Sequence, residues 1–219
     1  EYIAGCPRSQ LSGATVILDE NYPREPDYQA LYRAALKLAD KAEIACLVTG
    51  LPVAQALEPA RVAELKARLG GWIEVSDNLR VQVHQVLVLP QPAGADIAAF
   101  QRGAESADLF SGTVLVIDPG YFSLDWACFV DQKVETPACG SSTEATSRLL
   151  EKTAEQLRAR LRFRIDPHRL EEALRNGDST ILAAGSRVDF AAILDATARE
   201  QAPQSLREVR AALRGHAQL

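Results

Sequence analysis

The stretch VIDPGYFSLDW, residues 116–126, decides how the chain is read. An apolar run enters it, apolar residues leave it, and between them stand two aspartates, a proline, a glycine and a serine. TVLVI before the acids and SLDWACFV around and after them have strand composition, so 113–130 is expected to be a β-hairpin with polar groups at its tip. Gly120 suits a tight reversal and leaves room for a ligand to approach without a Cβ in the way. Backbone N–H groups in such a turn form a concavity that attracts anions, and Ser123 adds a hydroxyl donor. Asp118 and Asp125 beside a phosphate require a cation between them, and Mg²⁺ takes carboxylate and water oxygens. The stretch therefore reads as a hairpin for a phosphate and Mg²⁺. The alternative is a plain β-turn in which Asp and Gly serve only the geometry of the turn.

Outward from the hairpin, strand-like and helix-like stretches alternate. GATVIL, 13–18, reads as a strand, and the proline-rich 21–28 as a loop. Leu31, Ala34, Ala35 and Leu38 recur at helical spacing within 28–40. Residues 43–53 hold a continuous apolar run, which predicts a strand covered on both faces. A helix is expected over 57–69, with Val62, Leu65 and Leu69 on one face and Gly70-Gly71 ending it. A second buried strand is expected at 81–90, then a short helix over 93–104. Beyond the hairpin a long helix is expected over 142–161, with Leu149, Leu150, Thr153, Leu157 and Leu161 on one side. The rest, 166–217, reads as mostly helical, with Asp166-Pro167 as a helix start. The alternation points to an α/β fold, mixed sheets flanked by helices.

Composition narrows the function classes. The chain of 219 residues has a net charge of −5, which argues against bulk attraction to nucleic acid or to an anionic membrane. Arg158, Arg160, Arg162, Arg164 and Arg169 form the densest basic run, read as a solvated helix face and its exit. No apolar run is long enough to span a membrane, and the N-terminus has no signal-peptide pattern. The four cysteines, at 6, 46, 128 and 139, form no CxxC pair and read as buried free thiols of a cytoplasmic protein. Trp72 and Trp126 are expected in or near the core. His84 reads as a strand histidine and His168 as part of a helix start; His216 stands near the end of the chain. CGSST, 139–143, is not the G-x-S-x-G of a serine hydrolase. Neither a P-loop nor a G-x-G-x-x-G occurs.

VLVIDPGYFSLDW resembles the second phosphate-binding hairpin of the actin, Hsp70 and sugar-kinase superfamily. CLVTGLPV, 46–53, is similar to the "GLP" strand end of actin-like proteins of the ParM/StbA plasmid-segregation type. VLVLPQPAGA, 86–95, is similar to their segment before the helix that precedes the hairpin. The three occur in the family's order and cover roughly residues 1–160. The resemblance implies a partial actin-like (ribonuclease H-like) fold, with 1–112 in subdomain I and 113–219 in subdomain II. It implies an ATPase that binds ATP and Mg²⁺ and self-associates into filaments, with a DNA-bound adaptor protein as a further partner.

Residue by residue, the resemblance implies that Asp118 holds Mg²⁺ through water and that Asp125 helps shape the metal site. Gly120 and the N–H groups of Tyr121, Phe122 and Ser123 border the phosphates. Gln91 falls where the family orients the attacking water; its plainer reading is a polar loop residue before Pro92. Two departures stand out: Tyr121 and Phe122 replace glycines of the family's hairpin, and Pro119 removes an N–H. The family's first phosphate hairpin and its glycine-rich adenosine motif are not found, so the chain, which lacks Met altogether, is expected to be the middle of a longer protein and inactive alone. A non-catalytic actin-like interaction protein and a small-molecule kinase of the superfamily are the other readings.

Overall fold

The computed structural model describes residues 19–102 and 112–214. The strand expected over 13–18, together with Cys6 and His216, lies outside them. The chain divides into two compact units, Glu1–Leu51 with Gln55–Leu89, and Pro52–Ala54 with Pro90–Leu219.

In the first unit, helix α1 (Pro26–Ala39) precedes strand β1 (Glu43–Leu51), and helix α3 (Pro59–Leu69) precedes strands β2 (Gly71–Ser76) and β3 (Leu79–Pro90). The sheet order is β1-β3-β2, with β2 and β3 antiparallel. Helix α3 buries the face that its periodicity marks, but α1 does not: Leu31 and Leu38 are 51% and 83% exposed, and the buried side carries Tyr32 and Leu36 instead. Tyr32 and Leu36 of α1 and Leu65 and Leu69 of α3 pack on Leu51, Val81, Val83 and Val86. Each such fully buried aliphatic side chain contributes about 1.5–3 kcal/mol. The Tyr32 hydroxyl donates to the Leu69 carbonyl at 2.6 Å, and burial pushes its pKa up to about 12.

Three further expectations for this unit are corrected. Strand β1 is not covered on both faces: Cys46 is exposed and Val48 is 59% exposed. An unbroken apolar run thus reports strand propensity more than two-sided burial. Cys46 is consequently not a buried thiol. Trp72 is 58% exposed on β2, where the Arg80 guanidinium lies 5.3 Å from its ring centre, so cation–π contact replaces core packing. Strand β2 itself has no counterpart among the expected elements, because the Gly70-Gly71 helix end draws the eye away from GWIEVS.

In the second unit, a short helix α2 (Val53–Ala56) starts within Pro52–Ala54, and helix α4 (Pro92–Arg102) leads to β4 (Thr113–Pro119) and β5 (Leu124–Val130). The expected hairpin forms in full, with Thr113 opposite Val130 and Asp118 opposite Asp125. β6 (Lys133–Val134) and β7 (Gly140–Ser142) both pair with β5, which makes β5 central and buried from Leu124 to Phe129. Helix α5 (Thr146–Leu161) starts later than expected, because 140–142 belongs to the sheet. Leu150, Ala154 and Leu157 of α5 pack with Ile165, with Leu170 and Ala173 of α6 (Pro167–Arg175) and with Ile193 of α7 (Ala191–Leu213). Asp166 caps α6 as expected, accepting the His168 N–H at 3.0 Å. A hairpin of β8 (Thr180–Ala183) and β9 (Ser186–Asp189) interrupts the C-terminal part, which is otherwise helical as expected.

The packing break between the two units lies at 89/90. Helix α4 contacts β4 and β5, so it belongs with the hairpin. Among the described residues no helix is long and apolar enough to cross a membrane.

Candidate functional site

The two aspartates face each other across one rung of the hairpin, yet their surroundings differ. Asp125 is 2% exposed. Its carboxylate accepts the Val53 N–H at 2.8 Å and the hydroxyls of Ser123 and Ser141. The Ser141 hydroxyl in turn accepts the Ala54 N–H at 3.0 Å. Three donors on one buried carboxylate make it an internal tie that holds segment 52–54 against β5 and β7. Asp118 is half-buried, and its carboxylate makes no hydrogen bond or ion pair with a described residue.

The turn between them is held by its own backbone. Gly120 donates its N–H to the Ser123 carbonyl at 2.9 Å and to the Asp118 carbonyl at 3.0 Å. Its φ is not positive, so the glycine is not required for backbone conformation. A Cβ there would stand 2.8 Å from the Ser123 carbonyl oxygen, and this close approach is what demands glycine. The carbonyls of Gly120 and Tyr121 accept the N–H groups of Thr146 and Ser147 at 3.2 and 2.9 Å. The turn thereby caps helix α5, whose N-cap residue Ala145 has no side chain able to do so.

With the carbonyls of Gly120 and Tyr121 turned to the helix, the N–H groups of Phe122 and Ser123 are left without a hydrogen-bond partner among the described residues. Two consecutive free N–H donors beside an unpaired carboxylate are an arrangement suited to an anion with a cation between them. The Gly120 N–H is used within the turn. Tyr121 does not narrow the approach: its ring packs on the core of α5, α6 and α7 and stacks on His168, centroids 6.1 Å apart. His168 Nδ1 lies 3.1 Å from Glu171.

Gln91 is exposed just before α4, and its carbonyl accepts the Gly94 N–H at 3.1 Å. It shares the second unit with the hairpin. Among the described residues no group of three or more His, Cys, Asp or Glu side chains could hold a metal ion. Mg²⁺ binds with one or two carboxylates, keeping waters and phosphate oxygens for its remaining positions, so Asp118 alone fits it. Burial raises the thiol pKa of Cys128 and of Cys139, whose sulfur accepts the Cys128 N–H at 3.3 Å. Sequence reading misses Ser141 and the 52–54 amides, because Asp125's donors come from segments far along the chain. It also misses His168 as a support for Tyr121.

Residues 1–94 match the sequence model of a family described as the N-terminal domain of actin-like proteins. The chain is similar to the crystal structure of Ta0583, an archaeal actin homologue, at 17% identity and a TM-score of 0.73, covering 90% of this chain and 62% of that one. The same archaeal protein in complex with ADP matches at 16% identity and a TM-score of 0.66, covering 83% and 59%. ParM from Clostridium botulinum, solved as a 15-stranded filament, matches at 14% identity and a TM-score of 0.65, covering 86% and 59%. No curated protein matches the chain. The chain spans about 60% of the length of these structures. The fold is actin-like, a mixed arrangement of helices and sheets.

Proposed function

We propose that the chain is the nucleotide-facing part of an actin-like filament protein that binds ATP with Mg²⁺ and hydrolyses it, serving plasmid or DNA segregation. The observation that carries this reading is the pair of N–H groups at Phe122 and Ser123, without a partner among the described residues, beside the Asp118 carboxylate, which has none there either. They stand at the tip of a hairpin on an actin-like fold. On this reading the two N–H groups hold a phosphate, and the Ser123 hydroxyl is within the same turn. Asp118 holds the Mg²⁺ through water, and the ion offsets the charge between carboxylate and phosphate. Gln91 orients the attacking water; placing that water is much of what a protein contributes to phosphoryl transfer. Asp125 acts behind the site, tying 52–54 to the hairpin rather than touching the metal. ADP on the archaeal homologue and the filament of ParM support nucleotide binding and self-association as proposals for this chain. Subdomain I is proposed to end at the packing break, 89/90, rather than at 112. The partner that links such filaments to DNA is proposed to be an adaptor protein, and the compartment the cytoplasm.

A non-catalytic interaction protein is the second reading. Two observations favour it: Pro119 has no N–H, and the Gly120 N–H is taken up inside the turn. The hairpin therefore offers fewer donors than a phosphate loop usually does. Calorimetry of Mg²⁺-dependent ATP binding to the full-length protein, compared with Asp118→Ala, separates the two. Binding that is lost or weakened at least tenfold in the variant supports the ATPase reading. Absence of Mg²⁺-dependent binding in the intact protein overturns it.

A further inference from the structure

Helix α1 lays Gln29, Arg33 and Lys37 along one stripe, and with Arg24, Arg68 and Val75 these line a cleft of about 660 Å³. The volume is in the range of small-molecule sites. Four of the lining side chains are cationic and none is acidic. Among the described residues the nearby carboxylate that pairs with them is Glu64, which meets Arg24 at 2.7 Å and Arg68 at 3.9 Å. Arg33 and Lys37 form no ion pair with a described residue, and they stand one helical turn apart, where like charges repel. The side-chain amide nitrogen of Gln29 is buried there without an acceptor among the described residues. Water has been withdrawn from that N–H₂ group, and no described residue replaces it.

These facts share one remedy. An anion in the cleft would relieve the repulsion between Arg33 and Lys37 and take the donors of Arg33 and Arg68 that no described residue uses, and a turn of the Gln29 side chain would bring its enclosed amide to the anion. Gln29 to Lys37 spans about 12 Å along the helix, more than a single phosphate covers. Guanidinium groups match phosphate oxygens two at a time, which favours phosphate over isolated carboxylate. We propose that this cleft binds a small molecule carrying two or more phosphate groups, using Gln29, Arg33, Lys37 and Arg68. It uses no residue of the hairpin.

The test is a titration of the full chain with inorganic tripolyphosphate without Mg²⁺, followed by calorimetry and by the NMR signal of the Gln29 side-chain amide. The expected result is saturable binding that shifts the Gln29 amide. In Arg33→Glu/Lys37→Glu, whose substitutions are on exposed positions, the affinity falls at least tenfold with an unchanged circular dichroism spectrum. No saturable binding at millimolar tripolyphosphate overturns the proposal. So does binding that survives the double substitution, which would assign it to the hairpin amides. A hexaglutamate peptide that binds as tightly as tripolyphosphate also overturns it, in favour of an acidic protein partner.

Discussion

Two hairpins of the second unit reverse the chain by different means. Between β8 and β9 the turn residues Ala184 and Gly185 take φ of 48° and 76°, the left-handed pair of a type I′ turn. Nothing but backbone conformation is asked of them. Between β4 and β5 no residue from Pro119 to Ser123 has positive φ, and the reversal is closed instead by Gly120 approaching the Ser123 carbonyl. That longer tip directs carbonyls to the α5 N-terminus, places Ser123 on Asp125, and leaves the Phe122 and Ser123 N–H groups unpaired among the described residues. A turn that only reverses the chain needs two residues of the right φ. A turn that sorts its polar groups by direction needs more residues, and 120–123 supplies them.

The comparison can be broken or sharpened by substitution. The largest effect is expected from Asp125→Ala, which strips acceptors from the Val53 N–H and two hydroxyls and costs about 4 kcal/mol in urea unfolding. A cost below about 1 kcal/mol would mean that Asp125 is not a tie. Gly120→Ala forces a Cβ against a backbone oxygen 2.8 Å away and should cost about 2 kcal/mol by the same measurement. Gly185→Ala meets no atom within 4 Å and is penalised only for its φ, by about 1 kcal/mol. If Gly185→Ala proved the costlier of the two, the distinction between the hairpins would fail. Asp118→Ala should change stability by no more than about 0.5 kcal/mol, because the carboxylate bonds no described residue. A larger loss would reveal a structural partner and weaken its assignment to a metal.

These contrasts show where the sequence is legible. The hairpin and its register can be read from TVLVI and LDWACFV, since strand composition and a turn signal are local. The helices α1, α3 and α5 can be read from apolar spacing, and Asp166-Pro167 marks the start of α6. The two-residue hairpin at Ala184-Gly185 escapes such reading because β8 and β9 are four residues each, too short for alternation to stand out from the helices around them. Within the site, both aspartates are visible in the sequence, but their division of labour is not. What separates them is the reach of Val53 and Ser141 to Asp125, and no local pattern records contacts so distant along the chain. Trp72 is misplaced for a related reason: aromatic character is local, whereas the side of the sheet that stays open is decided by everything packed on the other side.

The segment Pro52–Ala54 has a consequence for how the protein can be taken apart. Its flanks, Leu51 and Gln55, belong to the first unit, while its own amides hang on Asp125 and Ser141 of the second. The chain therefore passes between units three times, and neither is encoded by one continuous stretch. A piece cut at 89/90 would carry off residues 52–54 and leave the Asp125 carboxylate buried with one of its three donors gone. The tie joins residues 72 positions apart. Dissection into separately expressed halves should thus yield a damaged second half.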